Sequence, residues 1–212
     1  MKKIIIILAL LVVATTLNSK DLEPILDKLV TKMEKVKPHS VDMNIKIDIE
    51  FLKIKERNAT LIYNSADDIE IKSDDFLMMP KNGAQMEYLK IIKNRSAAIY
   101  EGQEDGMTKI KIIPGENKEG LILANILIDE KTNRIIKMKA FTESNGSFVS
   151  KFEYGKNPFD LPSKVYLEFD MKNFQIPAQF SGDIDAVSKN QEKKSENTTG
   201  KVVITYKNYK VR

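Results

Sequence analysis

Few side chains in this 212-residue chain are of a type and spacing that could carry out covalent chemistry. There is no cysteine, which excludes a thiol nucleophile, and the single histidine, His39, would have to serve any serine–histidine–aspartate arrangement. No serine lies in the G-x-S-x-G turn that exposes the nucleophile of many hydrolases. A lone histidine is more often structural than catalytic, so we expect that the protein is not an enzyme.

Two acidic pairs, Asp67-Asp68 and Asp74-Asp75, are the best candidates for paired carboxylates or a cation site. They flank one short predicted strand, and such pairs are typical of solvated turns. The chain contains no phosphate-binding loop, dinucleotide fingerprint or metal-ligand cluster. We therefore predict neither a metal nor another cofactor.

The charged residues exclude one class of partner. The formal net charge is +4, and removing Lys2 and Lys3 leaves +2. Lysines and glutamates are interspersed along the chain without a long run of one sign, whereas a nucleic-acid-binding protein clusters its positive charge. We expect no nucleic acid as a partner, and a monomer.

Residues 1–19 have the layout of a secretory signal peptide. Lys2 and Lys3 precede the apolar run 4–14, and residues 15–19 are small and polar. We predict cleavage after Ala14 or Ser19, with an uncleaved membrane anchor as the alternative, and a single domain over 20–212. Without cysteine this domain has no disulfide and no lipid-attachment site, so we expect a soluble protein outside the cytoplasm, in the periplasm of a bacterium with two membranes.

One segment, 21–37, has the pattern of an amphipathic helix. Its apolar residues follow three- and four-residue spacing: Leu22, Ile25, Leu26, Leu29, Val30, Met33 and Val36. Asp21 can cap the start, Pro24 is tolerated in the first turn, and Pro38 ends the helix.

The rest of the chain alternates as strands do. Residues 41–51 are apolar at every odd position and polar at every even one, which predicts a strand with one buried face. Further strands are predicted at 57–63, 69–72, 76–79, 86–93, 97–100, 108–113, 121–128, 134–142, 148–154, 165–171 and 201–211. The polar segment 188–200 is predicted to be a loop.

A sheet of this size cannot be covered by one helix. About ten strands at roughly 4.8 Å spacing span on the order of 48 Å, whereas a helix is about 10–12 Å across. Large twisted sheets curl or split. We therefore predict a mainly β protein, a curved antiparallel sheet forming an unclosed half-barrel with an N-terminal helical lid. A closed barrel or sandwich with a filled core is the alternative.

Several features together resemble the LolA-type periplasmic outer-membrane lipoprotein carriers. The amphipathic helix runs into the long strand 40–51, and the hairpin 126–141 is followed by the strand GSFVSKFEY at 146–154. The segment LPSKV follows at 161–165, and the most specific part is the ending GKVVITYKNYKV at 200–211.

This resemblance implies a carrier that shields lipoprotein acyl chains in a hydrophobic half-barrel. It implies delivery from an inner-membrane lipoprotein-releasing transporter to an outer-membrane acceptor. Known carriers hold the lid closed with an arginine on an early strand, and the matching stretch 63–66 has none. Lid closure is therefore expected to depend on other residues.

The predicted site is the apolar face of the half-barrel. If the odd-numbered face of strand 41–51 points inward, the lining consists of Met43, Ile45, Ile47, Ile49, Phe51, Met138, Phe152, Leu167 and Phe169. Leu29 and Met33 would face them from the lid. An envelope binding or sensor module for lipid or a regulatory protein, and a structural envelope protein with a filled core, are the alternative functions.

Overall fold

A computed structural model describes residues 20–49, 52–53, 55–65, 68–73, 87–115, 120–143, 146–172 and 197–212. These residues form two helices, α1 (Glu23–Glu34) and α2 (Glu87–Lys93). They also form eleven strands: β1 (His39–Ile49), β2 (Leu52–Lys53), β3 (Arg57–Ser65), β4 (Asp68–Lys72), β5 (Arg95–Glu104), β6 (Met107–Pro114), β7 (Leu121–Asp129), β8 (Arg134–Thr142), β9 (Ser147–Tyr154), β10 (Pro162–Lys172) and β11 (Asn197–Val211). Neither helix is long and apolar enough to cross a membrane.

All strands belong to one antiparallel sheet that does not close. Its order is β4-β3-β1-β11-β10-β9-β8-β7-β6-β5, and the short β2 pairs with β1 beside this path. β5 to β11 follow chain order as a meander, and the last strand returns to lie between β10 and β1. The predicted fold class, an unclosed antiparallel sheet with an N-terminal helix, is confirmed.

The long alternating strand is the structural centre of the sheet. In β1 the odd-numbered side chains are buried and the even-numbered ones are half-buried or exposed. β1 pairs with β11 over almost its whole length, for example Ile45 with Ile204, and on its other side with β3, for example Met43 with Ala59. The predicted inward face is therefore the buried one.

The hydrophobic core lies between this face and α1. One cluster joins Leu26 and Leu29 of α1 to Leu61 of β3 and Ile110 of β6, which lie near opposite edges of the sheet. Strands so far apart in the order can share one cluster with a single helix only if the sheet curves around it. The buried side is the inner face of the sheet, and the opposite side is its outer face.

Turn chemistry in the sequence marks the hairpins of the meander. Asp105 and Gly106 connect β5 to β6 with φ values of 52° and 77°. Two successive positive φ values suit the tight hairpin turn for which Asp-Gly is favoured. Asn133, in the turn before β8, also has a positive φ of 50°.

Three predicted elements differ from the structure. Residues 86–93 were expected to form a strand, but Glu87–Lys93 is helix α2. Helix-forming residues with apolar side chains at three-residue spacing favour this outcome, and Ile92 is fully buried against the core. α1 is shorter than 21–37, and β11 begins at Asn197, inside the predicted loop. The predicted strand 76–79, the signal segment and the rest of that loop lie outside the described residues.

Candidate functional site

The predicted lining residues lie together on the inner face. One buried cluster contains eight of them. Four come from β1, namely Met43, Ile45, Ile47 and Ile49, and four come from other strands, namely Met138, Phe152, Leu167 and Phe169. Leu29 and Met33 of α1 belong to this cluster too. Phe51 lies outside the described residues.

The inner face is larger than the set of residues named from the sequence. β6, β7 and β11 add Ile110, Ile112, Ala124, Ile126, Ile128, Val202, Ile204 and Tyr206. Alternation in the sequence could have identified them, because each strand is apolar at every second position there. The interior is therefore a continuous and largely apolar surface that crosses most of the sheet, and it includes the buried polar side chains of His39, Thr108 and Ser150.

In this structure α1 covers the inner face. Six residues of the predicted stripe are buried, and Val30 is partly buried. The buried ones are Leu22, Ile25, Leu26, Leu29, Met33 and Val36. Cavities open instead on the polar outer face, one of about 1100 Å³ that includes Asn44, Asn58 and Thr60. Movement of α1 away from the sheet would uncover this apolar face.

Ionic contacts hold the end of α1 to the sheet. Lys32 forms an ion pair with Asp160 in the β9–β10 connection and donates to the Asn133 carbonyl at 3.2 Å. Asp160 also accepts a hydrogen bond from Arg134 Nε at 3.0 Å. Partial burial works to raise the pKa of Asp160, but the bonds from Arg134 and Lys32 outweigh it and the pKa lies below its ordinary value.

A second set of contacts ties α1 to α2 and β5. Glu23 forms an ion pair with Arg95, and Arg95 also donates a hydrogen bond to the Ile92 carbonyl at 2.8 Å. The carboxylate of Glu34 lies 3.1 Å from the Lys93 ammonium. Ion pairs of this exposed kind contribute about 0–1 kcal/mol each. They fix the position of the lid without making its closure irreversible.

Just before α1, Lys20 anchors the chain to the far side of the sheet. It forms an ion pair with Glu130 and donates to the hydroxyl of Thr108 at 3.1 Å. Hydrogen bonds from Lys20 and Thr108 lower the pKa of Glu130. The covering segment is thus held at both ends.

His39 is the first residue of β1, shortly after α1, and is 1% exposed. Its ring centroid is 4.6 Å from that of Phe159, 5.2 Å from Tyr63 and 5.6 Å from Tyr209. Nδ1 is 2.9 Å from the carbonyl of Lys37, and burial lowers the histidine pKa. These contacts fix the His39 ring among three aromatic side chains at the start of β1.

Three buried side-chain polar atoms have no hydrogen-bond partner among the described residues: His39 Nε2, Asn125 Oδ1 and the hydroxyl of Tyr206. The hydroxyl of Tyr206 is buried on the inner face and has no hydrogen bond within the described part of the chain. Burial raises its pKa, so the group stays protonated. An unpaired buried hydroxyl costs about 1–3 kcal/mol.

Gly200 of β11 makes room for one of the lining side chains. A Cβ built on Gly200 would lie 2.3 Å from Cζ of Phe169, so the aromatic ring rests directly on the strand backbone. The two residues are opposite each other in the β10–β11 ladder. Only glycine leaves this space, so Gly200 sets the position of Phe169.

Neither acidic pair is described in full by the structure. Asp68 accepts a hydrogen bond from Asn64 at 3.1 Å, while Asp67, Asp74 and Asp75 lie outside the described part of the chain. Within it, no three His, Asp or Glu side chains are grouped to hold a metal ion.

Comparison with known proteins identifies the fold. No family model and no curated protein matches the sequence. A LolA superfamily protein from Nitrosomonas europaea is similar with a TM-score of 0.59 and 8% identity, over 92% of this chain and 94% of that chain. A DUF1329 family protein from Desulfovibrio piger is similar with a TM-score of 0.53 and 9% identity, over 90% of this chain and 92% of that chain.

A domain assigned to outer-membrane lipoprotein sorting, from Vibrio parahaemolyticus, has a TM-score of 0.50 at 8% identity, over 89% of this chain and 91% of that chain. At these identities the similarity is one of fold. The chain therefore has a LolA-like fold, and the resemblance drawn from the sequence is confirmed at that level.

Proposed function

We propose that this protein is a non-catalytic carrier that shields the acyl chains of lipoproteins in the interior of its half-barrel. In this proposal residues 1–19 direct export and are removed, and 20–212 act as one soluble domain in the periplasm. The carrier would take its cargo from an inner-membrane transporter and deliver it towards an outer-membrane acceptor.

The cover over the inner face carries the proposal. A continuous apolar surface is covered by the amphipathic helix α1, with Ile92 of α2 beside it, and the polar contacts of α1 are mostly exposed or partly exposed ion pairs. Each buried methylene of a guest contributes about 0.8 kcal/mol. An acyl chain can therefore replace the apolar contacts of the helix, and the ion pairs that must break are individually weak.

Burial against a mainly apolar lining explains why such a site would accept varied acyl chains. The proposed lining is apolar, so affinity would grow with the length of the buried tail rather than with its identity. Met43 and Met138 add adaptable surface, because methionine side chains adjust to differently shaped neighbours.

The direct test is native mass spectrometry of the protein purified from the envelope, followed by titration with a fluorescent fatty acid. We expect co-purified lipid or acylated peptide, and saturable binding of the probe. Recovery of one dominant partner protein, with no lipid and no probe binding, would support the alternative binding or sensor module.

Substitution separates the interior from the outside of the sheet. Ile47→Asp and Phe169→Asp place a charge on the proposed lining and should abolish probe binding. Val203→Asp is the matched control, because Val203 is half-buried on the outer face and lies opposite Lys46. If both inner variants remain folded by circular dichroism and still bind the probe, the proposed lining is wrong.

A further inference from the structure

Strand register gathers lysines on the outer face of β6–β9. One row crosses the four strands, with each residue directly opposite the next: Lys109 of β6, Leu127 of β7, Lys137 of β8 and Lys151 of β9. Two residues along the strands, a second row contains Lys111, Asn125 and Lys139. We call these five lysines the lysine face. At ordinary strand spacing its two rows are about 7 Å apart, and they span about 14 Å and about 10 Å across the strands.

Few carboxylates neutralise the lysine face. Glu101 of β5 forms ion pairs with both Lys109, at 3.9 Å, and Lys111. Glu168 of β10 forms an ion pair with Lys151 at 3.5 Å. Neither Lys137 nor Lys139 has a carboxylate within ion-pair distance among the described residues; Lys139 lies 4.8 Å from the ring centroid of Phe141. The result is a net positive surface.

The strands themselves supply almost no negative charge. β6–β9 contain two acidic residues, Asp129 and Glu153. Asp129 is engaged by Thr132 at 2.7 Å, and Glu153 lies 4.0 Å from Lys164 of β10. Both are near the ends of their strands, away from the middle of the lysine rows.

The other half of the outer face carries both signs in similar number. On β1, β10 and β11 the outward acidic residues are Asp42, Asp48, Glu168 and Asp170, and the outward basic residues are Lys46, Lys164, Lys201, Lys207 and Lys210. The asymmetry between the two halves is a property of the fold, since the sequence interleaves both signs.

Repulsion between neighbouring lysines of the lysine face lowers the stability of the sheet. Lys137 and Lys151 are directly opposite each other, and like charges in that position destabilise a sheet. Because the rows are spaced within about one Debye length at physiological salt, their charges act together on a nearby surface. A local arrangement that opposes folding is typical of a functional surface.

We propose that the lysine face docks on a membrane surface that carries anionic lipid headgroups. The extended lysine rows suit a broad anionic surface, and the half-buried apolar side chains of Phe141 and Ile113 lie beside them, whereas Leu127 between Lys109 and Lys137 is buried. The outer cavity of about 1100 Å³, which would suit a segment of polypeptide, lies elsewhere, at β1, β3 and β4. This docking does not depend on the proposed carrier function.

The test is co-sedimentation of the whole mature protein with vesicles of phosphatidylcholine, with and without phosphatidylglycerol. We expect binding only to the anionic vesicles, and its loss at about 1 M salt, where screening is nearly complete. The variant that changes Lys109, Lys111, Lys137 and Lys139 to Gln should lose about fivefold in affinity for each lysine removed.

The matched control changes Lys46, Lys72, Lys201 and Lys207 to Gln. It removes the same charge from the outer face of β1, β4 and β11 and should retain most of the binding. Equal loss in both variants, with both folded by thermal unfolding, would show a net-charge effect and overturn the proposal. So would absence of binding to anionic vesicles, or binding only to an acidic polypeptide such as polyglutamate.

Discussion

At the scale of single residues, Tyr206 is a polar group that opposes stability. Because its buried hydroxyl has no hydrogen bond within the described residues, Tyr206→Phe should raise the free energy of unfolding by about 1 kcal/mol. Urea denaturation measures the change.

Tyr154→Phe is the control for that measurement. The Tyr154 hydroxyl donates to the carbonyl of Ile135 at 2.8 Å, so its removal should lower the free energy of unfolding by about 0.5–1.5 kcal/mol. A loss of stability in both variants would mean that the Tyr206 hydroxyl does have a partner in solution.

Gly200 and Phe169 should behave as one unit. Gly200→Ala forces the added methyl against the Phe169 ring and should cost about 1–3 kcal/mol, as overpacking does. In a Phe169→Ala background the same substitution should cost nothing, since the obstacle is gone. Unfolding of the four proteins of this cycle measures the coupling, and additive effects would show that the two residues do not interact.

His39 should make stability depend on pH in a defined window. Burial lowers its pKa below 6.5 in the folded protein, so below that pH the unfolded chain binds more protons. Stability is then fully present above the unfolded pKa and declines as the pH falls through the window towards the folded pKa. Urea midpoints at pH 7.5 and 5.5 measure the decline.

His39→Gln tests the origin of this decline. Asp160 and Glu130 have lowered pKa values, so their contributions are lost only at more acidic pH, below the ordinary carboxylate range. The Gln variant should therefore have nearly equal midpoints at the two pH values. An unchanged pH dependence would assign the effect to another group.

At the scale of elements, the position of α1 decides whether the interior is accessible. Asp160 connects the helix to the sheet through Lys32 and Arg134. Asp160→Asn should weaken this connection, so that the affinity for a fluorescent fatty acid rises about twofold to fivefold while stability falls slightly. Fluorescence titration measures the affinity.

Glu56→Gln is the control for the lid, because Glu56 pairs with Lys46 at 3.0 Å on the outer face, away from α1. It should leave probe affinity unchanged. Equal affinity of the Asp160 variant and the native protein would show that this ion pair does not restrain α1.

At the scale of the whole molecule, the fold depends on joining its two chain ends. β11 lies between β1 and β10, with Ile204 opposite both Ile45 and Val165. Truncation after Gly200 should therefore abolish the native far-ultraviolet circular dichroism spectrum and cooperative unfolding. Removing Arg212 alone deletes mainly its bonds to Pro38 and Asn64 and should leave a folded protein; a folded product of the longer truncation would contradict this account.

The sequence was sufficient for the local elements. Two-residue alternation predicted β1 and its buried face, and three- and four-residue spacing predicted the stripe of α1, because burial selects one face of each element. The segment 86–93 was misassigned because a short apolar run fits both periods, and packing against the core decided for helix α2.

Tertiary structure alone decided which distant residues meet. The lid contacts of Lys32 with Asp160 and of Glu23 with Arg95 join residues far apart in the chain, and no local pattern encodes such a pair. The lysine face arises in the same way: interspersed charges carry no signal along the chain, and strand register places them side by side. Side-chain period is a local property, whereas register and closure depend on the whole sheet.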